Sequence, residues 1–138
     1  MQNSILDAGP LIALFDRSDK FHPNALDFFK NYKGTLHTTW PVITETMHFL
    51  NFNSNVQSDF LLWLERDPLL IANHDKTILE KIRKLILKYK NVPMDFADAS
   101  LVLLSEEKNI KNIITLDSDY YIYRIPKKGF KNLLNIKE

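Results

Sequence analysis

Apolar residues in this chain alternate between short continuous runs and longer stretches with a helical repeat. Ser4 to Leu6 is a brief apolar run that predicts a buried strand. Asp7-Ala8-Gly9-Pro10 interrupts it, and Pro10 suits the first turn of a helix through Leu11 to Phe15, where its missing N–H costs nothing. After a polar loop from Asp16 to His22, the residues Ala25, Leu26, Phe28, Phe29 and Tyr32 make an amphipathic stripe that ends at Gly34. Thr35 to Thr38 predicts a short strand, and Trp40-Pro41 opens a helix with Val42, Ile43, Met47, Phe49 and Leu50 apolar. A turn at Asn51 to Asn55, a helix through Phe60 to Leu64 and a strand at Leu69 to Ala72 follow. Lys76 to Lys90 predicts one long helix, Asp95 to Lys108 another, and Ile113 to Leu116 a strand; Leu133 to Ile136 is a candidate edge strand.

Short apolar strands alternating with helices argue for an α/β sandwich around a mainly parallel sheet. A length of 138 residues, without linker or repeat, suggests one domain over residues 1–138. The composition, 45% hydrophobic and 25% charged, is that of a globular protein. With no cysteine, disulfides and thiolate zinc sites are excluded. No run of about 18 apolar residues exists to span a membrane, and the N-terminus has no basic start, so it reads as strand and helix rather than signal peptide. The expectation is a cytoplasmic protein. A net charge of +1 carries no global nucleic-acid signature, so charge has to be read locally.

Several acids occupy positions where a solvated acid is not expected. Asp7 follows directly on a buried strand, at the carboxyl end where open parallel sheets build sites; a helix-capping aspartate is the plain alternative. Glu45 lies inside an apolar helix, and Val42 three residues earlier rules against a capping box; an exposed helix glutamate is the alternative. Asp98 sits in a segment apolar nearly all round, Met94-Asp95-Phe96-Ala97-Asp98-Ala99-Ser100-Leu101-Val102, so it has to be paired, capped or metal-bound. Asp95 as N-cap answered by Asp98 is compatible with a metal role. Asp117 ends another strand, with a turn aspartate as its ordinary reading. Carboxylates gathered together repel each other, and a hard divalent cation such as Mg²⁺ or Mn²⁺ relieves that cost with oxygen ligands. Such a site can activate water against a phosphodiester.

At these residues the sequence resembles a PIN domain, in particular a VapC-like toxin nuclease of type II toxin–antitoxin systems. The resemblance runs through Ile5-Leu6-Asp7-Ala8-Gly9-Pro10-Leu11, Thr44-Glu45-Thr46, Asp95-Phe96-Ala97-Asp98-Ala99-Ser100 and Ile114-Thr115-Leu116-Asp117-Ser118-Asp119, and spans essentially the whole chain. It implies a PIN-like three-layer α/β/α sandwich and a Mg²⁺- or Mn²⁺-dependent endoribonuclease. Asp7, Glu45 and Asp98 match the family's core metal-binding acids, Asp117 its more variable fourth acid, and Thr115 a supporting hydroxyl; Asp95 ranks below them. Two departures are Ala8, where many members carry Thr or Ser, and Tyr120-Tyr121, where phenylalanine is more usual. The resemblance also implies a small antitoxin partner and a homodimer.

An RNA substrate needs cations beside the acids. Arg17 and Lys20, after the first helix, and Arg124, Lys127, Lys128 and Lys131 near the C-terminus are the candidates, with Tyr120, Tyr121 and Tyr123 as stacking rings. Lys81, Arg83, Lys84 and Lys88 read as the wet face of the long helix. Phe28, Phe29, Tyr32, Phe60 and Trp63 are either partner-facing or core, and helical spacing favours core. The competing function is a non-catalytic PIN-like RNA-binding or scaffold module. A phosphatase is disfavoured because Asp7 is followed by Ala8-Gly9 rather than a second Asp, and a phosphoacceptor domain because Ile113 to Asp117 offers no lysine.

Overall fold

The computed structural model describes residues 2–92, 94–116 and, for the backbone alone, 130–132. Strand β1 (Gln2–Leu6) leads into α1 (Ala8–Phe15) and α2 (His22–Asn31). Strand β2 (Gly34–Thr39) leads into α3 (Trp40–Phe49) and α4 (Ser54–Glu65), and β3 (Leu70–Ala72) into α5 (Leu79–Lys88) and α6 (Phe96–Lys108). Strands β4 (Asn112–Thr115) and β5 (Phe130–Asn132) complete the sheet. Its order is β3-β2-β1-β4-β5 and every pairing is parallel. Helices pack on the sheet as a three-layer α/β/α sandwich.

Order and sequence together decide where a site forms. The chain starts at the middle strand, builds outward through β2 and β3, then returns to lay β4 and β5 on the other side of β1. The direction of winding therefore reverses between β1 and β4, and the crevice beyond the carboxyl ends of those two strands is the preferred site of such folds. Ile5, Leu6, Ile113 and Ile114 are fully buried there and anchor the two strand ends in the core.

The two C-terminal helices show how burial follows composition. In α6 the residues Ala97 and Ala99 to Ser105 are all buried, as expected of a segment apolar nearly all round. In α5 only Ile82 is buried. The region expected as one helix from Lys76 to Lys90 divides: a single 3₁₀ turn, Lys76–Ile78, is capped by Asp75, whose carboxylate accepts from the Thr77 N–H and hydroxyl, and α5 follows. That local capping competes with a continuous α-helix at its start.

Three buried hydroxyls weld the helices to the sheet edge. Thr38 Oγ1 donates to the Leu6 carbonyl at 2.9 Å, joining the ends of β2 and β1. Ser100 Oγ donates to the Ala97 carbonyl and accepts from Thr39 Oγ1, each at 2.7 Å, which fixes the first turn of α6 to the end of β2. At the opposite end of β2, Gly34 has φ +151°, and a Cβ there would collide with the Gln2 carbonyl, so only glycine starts the β1–β2 ladder.

The aromatic residues weighed as partner-facing sit in or against the core. Phe60 is fully buried; Phe15 packs edge-to-face on Phe60 and Trp63, Phe29 packs edge-to-face on Trp63, and Trp63 stacks on Phe60. The candidate strand at 133–136 lies outside the described residues; the strand beside β4 is Phe130–Asn132. No helix among the described residues is long and apolar enough to cross a membrane.

Candidate active site

Asp7 is placed by both strands of the crevice. It follows β1 in extended geometry as the N-cap of α1, and its own N–H donates to the Ile114 carbonyl of β4 at 3.1 Å. Its carboxylate accepts from the Ala8 N–H at 2.8 Å through one oxygen and from Thr115 Oγ1 at 2.8 Å through the other. Asp7 is buried, and two donors plus the positive end of α1 compensate the desolvation of its charge. Thr115 closes β4, is itself buried, and lies 108 positions away in sequence.

Asp95 and Asp98 enter from the first turn of α6. They form a reciprocal capping box: the Asp98 N–H donates to Asp95 Oδ1 at 2.8 Å, and the Asp95 N–H to Asp98 Oδ2 at 3.2 Å. Capping and site placement are thus not alternatives, because the cap holds both carboxyls at the helix start. Asp95 is exposed and Asp98 half-buried.

Glu45 comes from the middle of α3, whose Val42, Ile43 and Thr46 face the core. It is half-buried, and its carboxyl is pushed up to about 7. Burial is the largest cause, followed by the negative charges of Asp95, Asp7 and Asp98 and by a side-chain hydrogen bond with Asp95. Four acids from three helix starts or faces therefore share one electrostatic field. Among the described residues no three of them converge into a closed ion cage. The donor set still fits a hard divalent cation: it is all oxygen, and after burial the repulsion of Asp95, Asp7 and Asp98 contributes to the raised Glu45 proton affinity, a part that added positive charge relieves.

The expected cations divide. Lys20 lines a cleft of about 380 Å³ with Asp19, Phe49, Leu116 and Gly9, two residues after Asp7, and its ammonium lies over the Phe21 ring at 4.9 Å. Arg17 lines a different cleft, of about 800 Å³, with Phe15, Leu26, Phe52 and Val56. Asp117, Arg124, Lys127 and Lys128 lie outside the described residues, as does the side chain of Lys131. Thr38, Thr39 and Ser100, which brace the site, were not singled out from sequence. Their signal is three hydroxyls at the margins of apolar runs, but Thr39 and Ser100 are 61 positions apart and nothing local pairs them.

The PIN domain family model matches residues 4–128. The chain belongs to the PIN domain family. Among solved structures, this PIN domain is similar to Mycobacterium tuberculosis VapC20, described as a Sarcin-Ricin loop cleaving toxin, with a TM-score of 0.81 and 16% identity over 90% of this chain and 97% of that one. It is also similar to VapBC2 from Rickettsia felis bound to a DNA fragment from their promoter, with a TM-score of 0.64 and 17% identity over 95% and 98% of the two chains. At such identities the likeness is one of fold. No curated protein matches the sequence significantly.

Proposed function

We propose that residues 1–138 form one nuclease domain that hydrolyses RNA phosphodiester bonds with Mg²⁺ or Mn²⁺, as the toxin of a toxin–antitoxin pair. The observation that carries this reading is Asp7 locked by Thr115 at the reversal point of the sheet, within the field of Glu45, Asp95 and Asp98. Membership of the PIN family and the likeness to a Sarcin-Ricin loop cleaving toxin support it.

In this reading Asp7, Glu45 and Asp98 would hold the cation, with Asp117 as a fourth acid and Asp95 as a weaker one. Bound there, the cation would supply Lewis-acid activation of the phosphodiester and of the attacking water. The remaining work falls to the chain. Thr115 fixes the rotamer of Asp7 by its hydrogen bond. The capping box holds Asp95 and Asp98 at the start of α6. Glu45, in the metal-free protein, keeps its proton close to neutrality and shares a hydrogen bond with Asp95. Lys20 contributes positive charge for the RNA backbone from the Asp7 side of the crevice, and Arg124 and Lys127 belong to the same expectation. A small antitoxin partner, a homodimer and a cytoplasmic location complete the reading; VapBC2, a two-component relative by fold, supports the partner.

The test is cleavage of a structured RNA pool by the purified protein with Mg²⁺, Mn²⁺ or EDTA, beside Asp98→Asn. Cutting that needs metal and disappears in the variant supports the nuclease. Equal cutting by wild type and variant refutes the site. No cutting by folded wild type moves the assignment to a binding module.

A further inference from the structure

A second feature sits along the same edge of the sheet. Trp40 is 55% exposed and Phe96 43% exposed; Phe49 and Phe52 are as exposed in other clefts, but Trp40 and Phe96 line one pocket of about 340 Å³ together. Ile78 and Leu79 add apolar wall, while Asp75 and Lys76 make a polar rim. The pocket is continuous in sequence with the acids. Phe96 directly follows Asp95, and Trp40 opens the helix that carries Glu45, five residues on, about 7.5 Å along its axis and about 140° around it. At the far end of that helix Phe49 lines the cleft that holds Lys20, so α3 runs from a ring-lined pocket, past Glu45, to a cation.

Exposed aliphatic residues such as Leu26, Leu61, Leu62 and Leu87 are spread over α2, α4 and α5, away from this pocket. Single exposed apolar residues need no explanation. Two rings that share one pocket, one of them on the residue after Asp95, do. Aromatic faces stack on bases whatever the base, and single-stranded RNA is recognised chiefly through splayed bases stacked in this way. At about 340 Å³ the pocket lies at the small end of the range for small-molecule sites.

We propose that the pocket between the starts of α3 and α6 is a stacking subsite for an unpaired nucleobase of the RNA, with Trp40 and Phe96 as its rings and Lys76 as a contact for the adjoining phosphate. The inference rests on the nuclease reading and names the substrate feature it recognises: a single-stranded base next to the cleaved bond, not a duplex.

Trp40 provides its own reporter. The chain has two tryptophans, and Trp63→Phe in the aromatic cluster leaves Trp40 alone. Its emission is titrated with short oligoadenylate and oligouridylate, in EDTA and again with Ca²⁺ in place of Mg²⁺, so that the signal is separate from turnover. A saturable quench is expected with single strands and none with a duplex of equal length. Trp40→Ala weakens single-strand binding by roughly tenfold, measured by anisotropy of a labelled oligonucleotide, and Trp40→Phe restores most of it. Unchanged emission together with equal affinity in Trp40→Ala overturns the subsite. So does an emission change that follows protein concentration without RNA and is matched by loss of self-association in Trp40→Ala, which makes the pocket a contact between copies. Quenching without any metal-dependent cleavage leaves the subsite standing and sinks the nuclease reading; cleavage without quenching does the reverse.

Discussion

Asp7 and Glu45, on opposite sides of the crevice, are held in opposite ways. On the strand side, Asp7 is almost fully buried and both its oxygens accept hydrogen bonds, from Ala8 and Thr115. On the helical side, Glu45 is half-buried, and the groups that shift it are burial and three other carboxyls, all acting to raise its proton affinity. The first arrangement stabilises an anion through hydrogen bonds to both oxygens. The second is held by the packing of α3 at a cost to the metal-free protein. A site that combines them has one pre-oriented anchor and one group whose cost falls when positive charge arrives.

Substitutions that remove charge from both sides test the pair as a whole. Asp98→Asn is expected to lower kcat/KM by more than about 100-fold while leaving the fold intact, because asparagine retains the shape of the cap; cleavage assays and circular dichroism check the two halves of that statement. Removing only the support of the strand side has a smaller effect. Thr115→Val keeps the buried volume and deletes the donor to Asp7, for an expected loss of about 10- to 100-fold in activity or metal affinity, read by calorimetry with Mn²⁺.

Stability measurements separate the sides directly. Asp7→Asn is expected to destabilise the metal-free protein by about 1.5 kcal/mol in urea titration, since the lost charge-assisted bonds outweigh relieved repulsion. Glu45→Gln is expected to stabilise it by on the order of 1 kcal/mol at pH 8, a figure already reduced for the solvent exposure of Glu45. Two changes of the same sign would dissolve the contrast between the sides. The pH profile sharpens it further. A carboxyl raised from 4.5 to about 7 binds more protons folded than unfolded between those values, so stability falls as pH rises through that window. The melting temperature of wild type in EDTA is therefore expected to drop from about pH 4.5 to 7 relative to that of Glu45→Gln, and saturating Mg²⁺ to cancel the difference.

Much of this was legible in the sequence, for reasons that can be traced to particular residues. The apolar run ending at Leu6 and the proline at the start of α1 are local signals, and they place Asp7 at a strand end whatever the rest of the chain does. The all-round apolar character of α6 marks it as buried, and an acid in its first turn stands out against that background. Other expectations depended on distance through space. Arg17 and Lys20 are three apart and were expected to serve one function, yet they line separate clefts. The long helix from Lys76 begins instead as a 3₁₀ turn under the cap of Asp75. Trp40 was read only as the opening of a helix, because nothing nearby in sequence states that Phe96 shares its pocket.

The sequence by itself determined the elements, the core and the acids at strand ends and helix starts, because hydrophobic period and capping chemistry act within a few residues. Only the tertiary structure decided which of those ends meet. Thr115 reaches Asp7, Thr39 reaches Ser100 and four carboxyls share one field because the sheet reverses its winding between β1 and β4. That pairing is set by long-range burial of whole strands, a cooperative choice that no short window of residues contains.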